Sequence, residues 1–260
     1  MRNPKIEFDR LKMYIGEPYK IHVVDSCNDI IIYQPTIGEI IKFGERRFNS
    51  TLNIFVCNTT SYRLPLWKNK IDWNQISDFE LFCLIYKGIE KEASDLIFRG
   101  INFSLFELGT MVTDGKEHPV LVDKENHYII NENAYNHISQ YLRTVFNIFP
   151  EEKLTDDNVM KKWYIQKDER QLRNEEAKAK EGKGKEPYSI QPIISACINH
   201  PGFKYKLQDL KDIGVCEFYD SVKRLQIYES STALMKGIYS GFINGKEINS
   251  ENYNFMRETR

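Results

Sequence analysis

The side chains able to do chemistry in this chain are scattered. The five histidines are His22, His118, His127, His137 and His200; none lies four residues from another, and none neighbours a cysteine. A metal-binding helix face needs two such ligands one turn apart, so structural or surface histidines are expected. The cysteines, Cys27, Cys57, Cys83, Cys197 and Cys216, are odd in number, widely spaced and free of any Cys-x-x-Cys. That pattern suits neither a zinc site nor a disulfide framework, and reduced thiols in a cytoplasmic compartment are expected. Acidic-x-Lys triplets occur at Glu151-Glu152-Lys153 and Glu176-Ala177-Lys178. A nuclease would need a carboxylate pair and a lysine at a strand end to hold a divalent ion. These triplets lie in charged helical or loop text, and 36 basic and 37 acidic residues supply several by chance. Gly182-Lys183-Gly184-Lys185 follows no strand and lacks the Gly-Lys-Ser/Thr of a phosphate cradle. No catalytic, cofactor-binding or metal-binding residue is assigned, no cofactor is expected, and the expectation is a protein that is not an enzyme.

Two stretches raise nucleic acid. Residues 207–226 can be laid out as a helix-turn-helix, with Leu207–Leu210 first, Gly214 as the turn and Val215 opening the recognition helix. Asp220 falls where such motifs bury an aliphatic side chain, Glu217 and Asp220 make the opening acidic, and the second helix runs on too far. The Thr155–Lys185 stretch sets Trp163 and Tyr164 beside Lys161, Lys162 and Lys167, a mixture that can bind single strands. Asp168, Glu169, Glu175 and Glu176 weaken its field, so a solvated or partner-facing helix is expected. Net charge is −1, which gives no global attraction to DNA or an anionic membrane. A DNA-binding regulator using 207–226 is the alternative reading, and nucleic acid is not the expected partner.

The elements that would position any site follow from pattern. Hydrophobic residues make up 41% and aromatics 13%, enough for a substantial core. No apolar run approaches the roughly 18 residues of a membrane helix, and the N-terminus opens on charged residues rather than an apolar signal core. Tyr19–Asp25 and Asp29–Gln34 read as a short hairpin. Thr36-Ile37-Gly38-Glu39 and Ser77-Asp78-Phe79-Glu80 have capping-box form and predict helices after them. Residues 62–73 read as an irregular, aromatic-packed link, and 101–108 as a strand. Val120–Asp123 and His127–Asn131 suit a hairpin, followed by a helix capped at Asn131 or Asn133 and stopped by Pro150. From Thr155 to Pro187 the text becomes a charged helical arm ending in glycines and lysines, exposed and open to proteolysis. Residues 187–201 suggest a short buried helix.

The last segment carries the strongest pattern. Val215, Phe218, Val222 and Leu225 recur at helical spacing, followed by Ile227, Leu234 and Ile238. Ser230-Ser231-Thr232-Ala233, with Gly237 a turn later, would let another backbone come close. The candidate interaction residues are therefore Val222, Leu225, Tyr228, Ala233, Leu234 and Gly237, with Val222 and Leu225 expected to be buried. The predicted fold is α+β, mainly helical, with a small N-terminal β element and a long C-terminal helix. The predicted organisation is a mixed domain over 1–154, a charged arm or linker over 155–187 and a helical region over 188–260.

Several segments also resemble a family encoded in the tail-morphogenesis genes of siphophages and prophages of Gram-positive bacteria. The likeness is sharpest at Phe8–Tyr14, Tyr33–Ile41 and Asp78–Phe82. It recurs at the end in Pro201–Lys206, Asp220–Tyr228, Gly237–Gly241 and Asn254–Arg257. These are packing and turn signatures, not catalytic motifs. The resemblance implies a tail assembly or structural protein, in sharpest form a tail assembly chaperone. It would work in the host cell cytoplasm or remain with the virion. Its partners would be other phage tail proteins, the tape-measure protein among them, with no membrane partner and self-association left open.

Overall fold

Asp9 opens the first helix, α1 (Arg10–Tyr14), its carboxylate accepting from the N–H groups of Leu11 and Lys12. The computed structural model describes residues 5–24, 26–113, 115–182 and 189–258. Helix accounts for 54% and strand for 10%, an α+β fold that is mainly helical. The N-terminal hairpin is present but short. β1 (Tyr19–Ile21) pairs antiparallel with β2 (Ile30–Ile32), Tyr19 opposite Ile32; Asp25, expected in the first strand, lies outside the described residues.

Both capping boxes form. Thr36 Oγ1 accepts from Glu39 N–H while the Glu39 carboxylate accepts from Thr36 N–H, starting α2 (Ile37–Phe43). Gly44, at φ 112°, turns the chain into α3 (Glu45–Val56), a left-handed-region turn that glycine makes at little cost. Residues 62–73 are not the irregular link predicted: they contain α4 (Arg63–Lys68). Pro65 sits in its first turn, where the missing N–H has no helical partner to lose. The aromatic packing is there, with Trp67 edge-on to Trp73 at 6.0 Å. Ser77 and Glu80 make the second box for α5 (Asp78–Ile85), and α6 (Lys91–Phe98) follows.

The strand predicted over 101–108 begins only at Glu107. A 3-10 turn at Phe103–Leu105 comes first and sends Ile101, Phe103 and Phe106 into the core. β3 (Glu107–Thr113), β4 (Lys116–Asp123) and β5 (Tyr128–Ile130) form one antiparallel sheet in that order. The β4–β5 hairpin is as predicted, with Asp123 Oδ1 accepting from the N–H groups of Glu125 and Asn126. Asn131 caps α7 (Glu132–Val145). That helix ends before Phe149, because Asn147 takes a positive φ of 54°; Pro150 is not its stop. α8 (Asn158–Lys180), α9 (Gln191–Ile198) and α10 (Val215–Tyr239) complete the chain. Lys183–Tyr188, which include most of the glycine–lysine run and Pro187, lie outside the described residues.

The main core gathers side chains from α1, α2, α3, α5, α6, α7 and both sheets. Interlocked rings mark its centre: Phe55 on Phe103 at 5.0 Å, Phe98 on Phe103 at 5.1 Å and Phe82 on Tyr135 at 4.7 Å. Ile190, Leu210, Ile213, Val215 and Phe218 belong to the same cluster. They are held there by backbone bonds from Ile37 N–H to Ile213 O (3.0 Å) and Val215 N–H to Pro35 O (3.1 Å). Gly38 permits the contact, since a Cβ there would lie 2.5 Å from Lys211 O. The core is therefore continuous across the arm. A smaller cluster, Cys57, Leu66, Trp73, Leu81 and Ile165, lies under α8.

Candidate interaction surface

α10 starts inside the core and leaves it. Val215 and Phe218 are fully enclosed. Val222 packs on the core but is only half-buried, and so is Leu225. Both were expected to be buried; the helix, about 37 Å long at 1.5 Å per residue, has by then begun to run clear of the body. Beyond Leu225, Ser231 is its one buried residue.

What covers the outer half is the end of the chain itself. Residues 240–258 double back along α10 as a strap. Ile243 N–H donates to Gly237 O at 3.1 Å, and a Cβ at Gly237 would meet Ile243 Cδ1 at 2.5 Å. Ser231 Oγ donates to Asn252 O. Arg224 donates to Arg257 O at 2.6 Å, and Tyr228 meets Phe255 edge-on at 6.2 Å. Glu258 reaches Arg10 on α1 at 3.1 Å. Ser231 meets the backbone of the strap and Gly237 leaves room for the Ile243 side chain, so both face the chain's own residues. Of the remaining candidates, Leu234 is half-buried and Ala233 exposed. Arg224, Ile243, Asn252 and Arg257 were missed. The strap has no helical or strand period, so only the turn-forming Asn244-Gly245 hinted at it.

The strap hides little. Its two 3-10 turns, Gly245–Glu247 and Ser250–Tyr253, contain no buried residue. Phe242 is 91% exposed, Met256 72% and, at the end of α10, Tyr239 80%. Tyr228 and Phe255 are also more exposed than buried. Scattered exposed apolar residues are ordinary, and here several large ones fall on the end of α10 and the strap.

The charged arm has the opposite character. Its first turns are clamped down: Lys161 Nζ meets Asp72 Oδ2 at 2.6 Å, and Arg63 forms a paired contact with Asp168, both bonds 2.5 Å. Arg63 also lies over the Tyr164 ring at 4.9 Å. From Arg170 to Gly182 every residue is exposed.

The 207–226 segment does not form two helices. Leu207–Leu210 was to be the first of them, but the chain makes a 3-10 turn at Asp209–Lys211, wedged against Gly38. Of its basic residues, Lys223 donates to Asn147 Oδ1 at 2.6 Å and Arg224 holds the strap.

Among the described residues no group of histidine, cysteine and acidic side chains could hold a metal ion, and no helix is long and apolar enough to cross a membrane. The five cysteines are free thiols. Burial, with Asp78 nearby, pushes the Cys57 thiol up to about 12. Burial, with Glu80 nearby, does the same to Cys83. The inner thiols are therefore poor nucleophiles.

Residues 179–259 match the family model of the YomV second domain. That is a Bacillus phage-derived family, and the match suggests a phage-associated protein. The matched span takes in the last two residues of α8, then α9, α10 and the strap. No curated protein and no solved structure matches the chain.

Proposed function

We propose that this is a non-enzymatic phage tail assembly or structural protein, in its sharpest form a tail assembly chaperone, acting in the host cytoplasm through contacts with other tail proteins. The observation that carries the reading is the apolar display of Tyr239, Phe242 and Met256 on a segment that buries almost nothing. Such side chains suit an amphipathic or aggregation-prone helix of a partner, the tape-measure protein being the preferred one. Burial would supply roughly 25 cal/mol per Å² before ordering costs. The match to a phage-derived family over this part of the chain supports the same setting.

The test is co-expression with the tail proteins of the same phage. A tail protein, the tape-measure protein first, should become more soluble and co-purify with the tagged chain. Replacing Phe242 and Met256 together by Glu should abolish co-purification while circular dichroism stays unchanged. Failure of every tail protein to co-purify would refute the proposal. Salt-sensitive retention of phage DNA would instead support the regulatory alternative.

A further inference from the structure

The sheet β3-β4-β5 ends in an open edge. Ile129 N–H donates to Ser26 Oγ, so it points away from β4, and Val122–Ile129 is a non-hydrogen-bonded pair. Val122 must then bond across to Glu107 on the other side, because the two sides of a strand alternate. The β3–β4 register runs without a break from Glu107–Val122 to Thr113–Lys116. Glu107, Gly109, Met111 and Thr113 therefore bond to β4, and the N–H and C=O groups of Leu108, Thr110 and Val112 point outward. No turn, loop or side chain among the described residues takes them up. Pro119, opposite Thr110, fits this alternation, since its missing N–H falls where β4 has no further partner.

Proteins usually guard such an edge with lysine, proline, a bulge or a covering element. β3 reads Glu-Leu-Gly-Thr-Met-Val-Thr, with none of these. Its one charge, Glu107, is matched by Lys124 at 2.8 Å. The other edges are treated differently: β5 is three residues long with Ile129 N–H occupied, and beside β2 Tyr33 N–H donates to Ile97 O. On β3, Leu108 and Val112 share a face and are 60% and 67% exposed.

The outward residues are symmetric about Thr110. We infer that β3 is a homodimer edge: a second copy of this chain lays its own β3 antiparallel against it, centred on Thr110, and joins the two sheets into one. Leu108 of each copy then lies opposite Val112 of the other, and the two Thr110 residues face each other. Apolar and Thr–Thr pairs are favourable across strands, outward groups meet outward groups along the whole register, and no like charges within β3 are opposed. What favours a second copy is the side-chain match: Leu108 meets Val112, Thr110 meets Thr110, and Glu107 falls opposite Thr113 rather than another carboxylate. The pairing lies on the sheet and is independent of whether α10 and its strap bind a tail protein.

Sedimentation velocity on the full chain, from roughly 1 to 100 µM to cover weak association, should show a monomer–dimer equilibrium. Thr110→Pro removes an outward N–H without touching a bond to β4, and Thr110→Lys sets like charges opposite each other across the two-fold. Each should weaken dimerisation about tenfold or more. Thr110→Cys, with Cys27→Ser to silence the exposed native thiol, should cross-link on oxidation, since a hydrogen-bonded pair sets Cα atoms about 5.5 Å apart, within disulfide range. Phe242→Glu with Met256→Glu should leave the dimer unchanged, which separates this edge from the strap. A wild-type chain that stays monomeric overturns the inference. So does a dimer that Thr110→Lys leaves intact with the fold preserved, or a Thr110→Cys chain that does not cross-link; should Thr110→Pro disturb the hairpin, Thr110→Lys decides.

Discussion

Arg143 holds three helices at one point. Its Nε donates to Val56 O at 2.8 Å, and one of its terminal nitrogens to Cys57 O at 2.6 Å and Asp78 Oδ2 at 3.1 Å. Asp78 Oδ1 in turn accepts from Thr59 N–H. The end of α3 would otherwise leave carbonyls without partners. Arg143→Met should lower stability by about 2–4 kcal/mol in urea unfolding, because it strands Asp78 and two carbonyls together; an unchanged midpoint would show that water replaces the guanidinium. Asp78 was visible in the sequence as part of a capping box. Its tie to Arg143 was not, because a pair 65 residues apart leaves no local period. Thiol chemistry gives a second check at this scale. Cys27 is exposed, whereas burial holds the Cys57, Cys83 and Cys216 thiols up. Iodoacetamide at mildly alkaline pH should label Cys27 first, and rapid labelling of Cys57 would contradict its enclosure.

At the level of elements, α8 divides into a clamped start and a free end. Trypsin should cut first at Arg170, Arg173, Lys178 or Lys180, where nothing is buried. The pieces should still elute together, since the core spans the cut; separation into two independent fragments would overturn that. The clamp is acid-sensitive. Desolvation raises the Asp72 carboxyl, but hydrogen bonds from Lys161 and Asn74 N–H outweigh it and hold it below the usual carboxylate value. A carboxyl depressed on folding contributes stability above its unfolded value, near 4, and loses it as pH falls through the lower folded one. Asp72→Asn should accordingly reduce the loss of stability below about pH 4, measured by thermal melts; an identical acid limb would remove Asp72 from the account. On α10, half-burial reduces what Leu225→Ala should cost to about 1–2 kcal/mol, below the range for enclosed leucines.

For the molecule as a whole, Phe218 decides whether there is one folding unit. It is fully buried in a cluster shared with Met13, Ile37 and Tyr135. Phe218→Ala should cost about 3–5 kcal/mol, and the core should still melt in one transition by both near- and far-ultraviolet dichroism; two separated transitions would mean two units. The fold class was legible because helix caps and apolar periods are local. The capping boxes at Thr36 and Ser77 were readable, and the cap of α7 was narrowed to Asn131 or Asn133, of which the structure uses Asn131. The 3-10 turn at Phe103–Leu105 was not, because alternating Ile101 and Phe103 mimics a strand, and neither was the strap, whose contacts are backbone carbonyls and turns. The surface on α10 was half legible: its small residues implied close approach, but not that the approaching chain is its own. The bridge that carries Ile213 and Val215 to Pro35 and Ile37 also sets an order of events during synthesis. A chain emerging N-terminus first presents Ile37 long before Ile213, Val215 and Phe218, which share its cluster, are made. Until Phe218 is made, the apolar cluster that it completes stays unfinished.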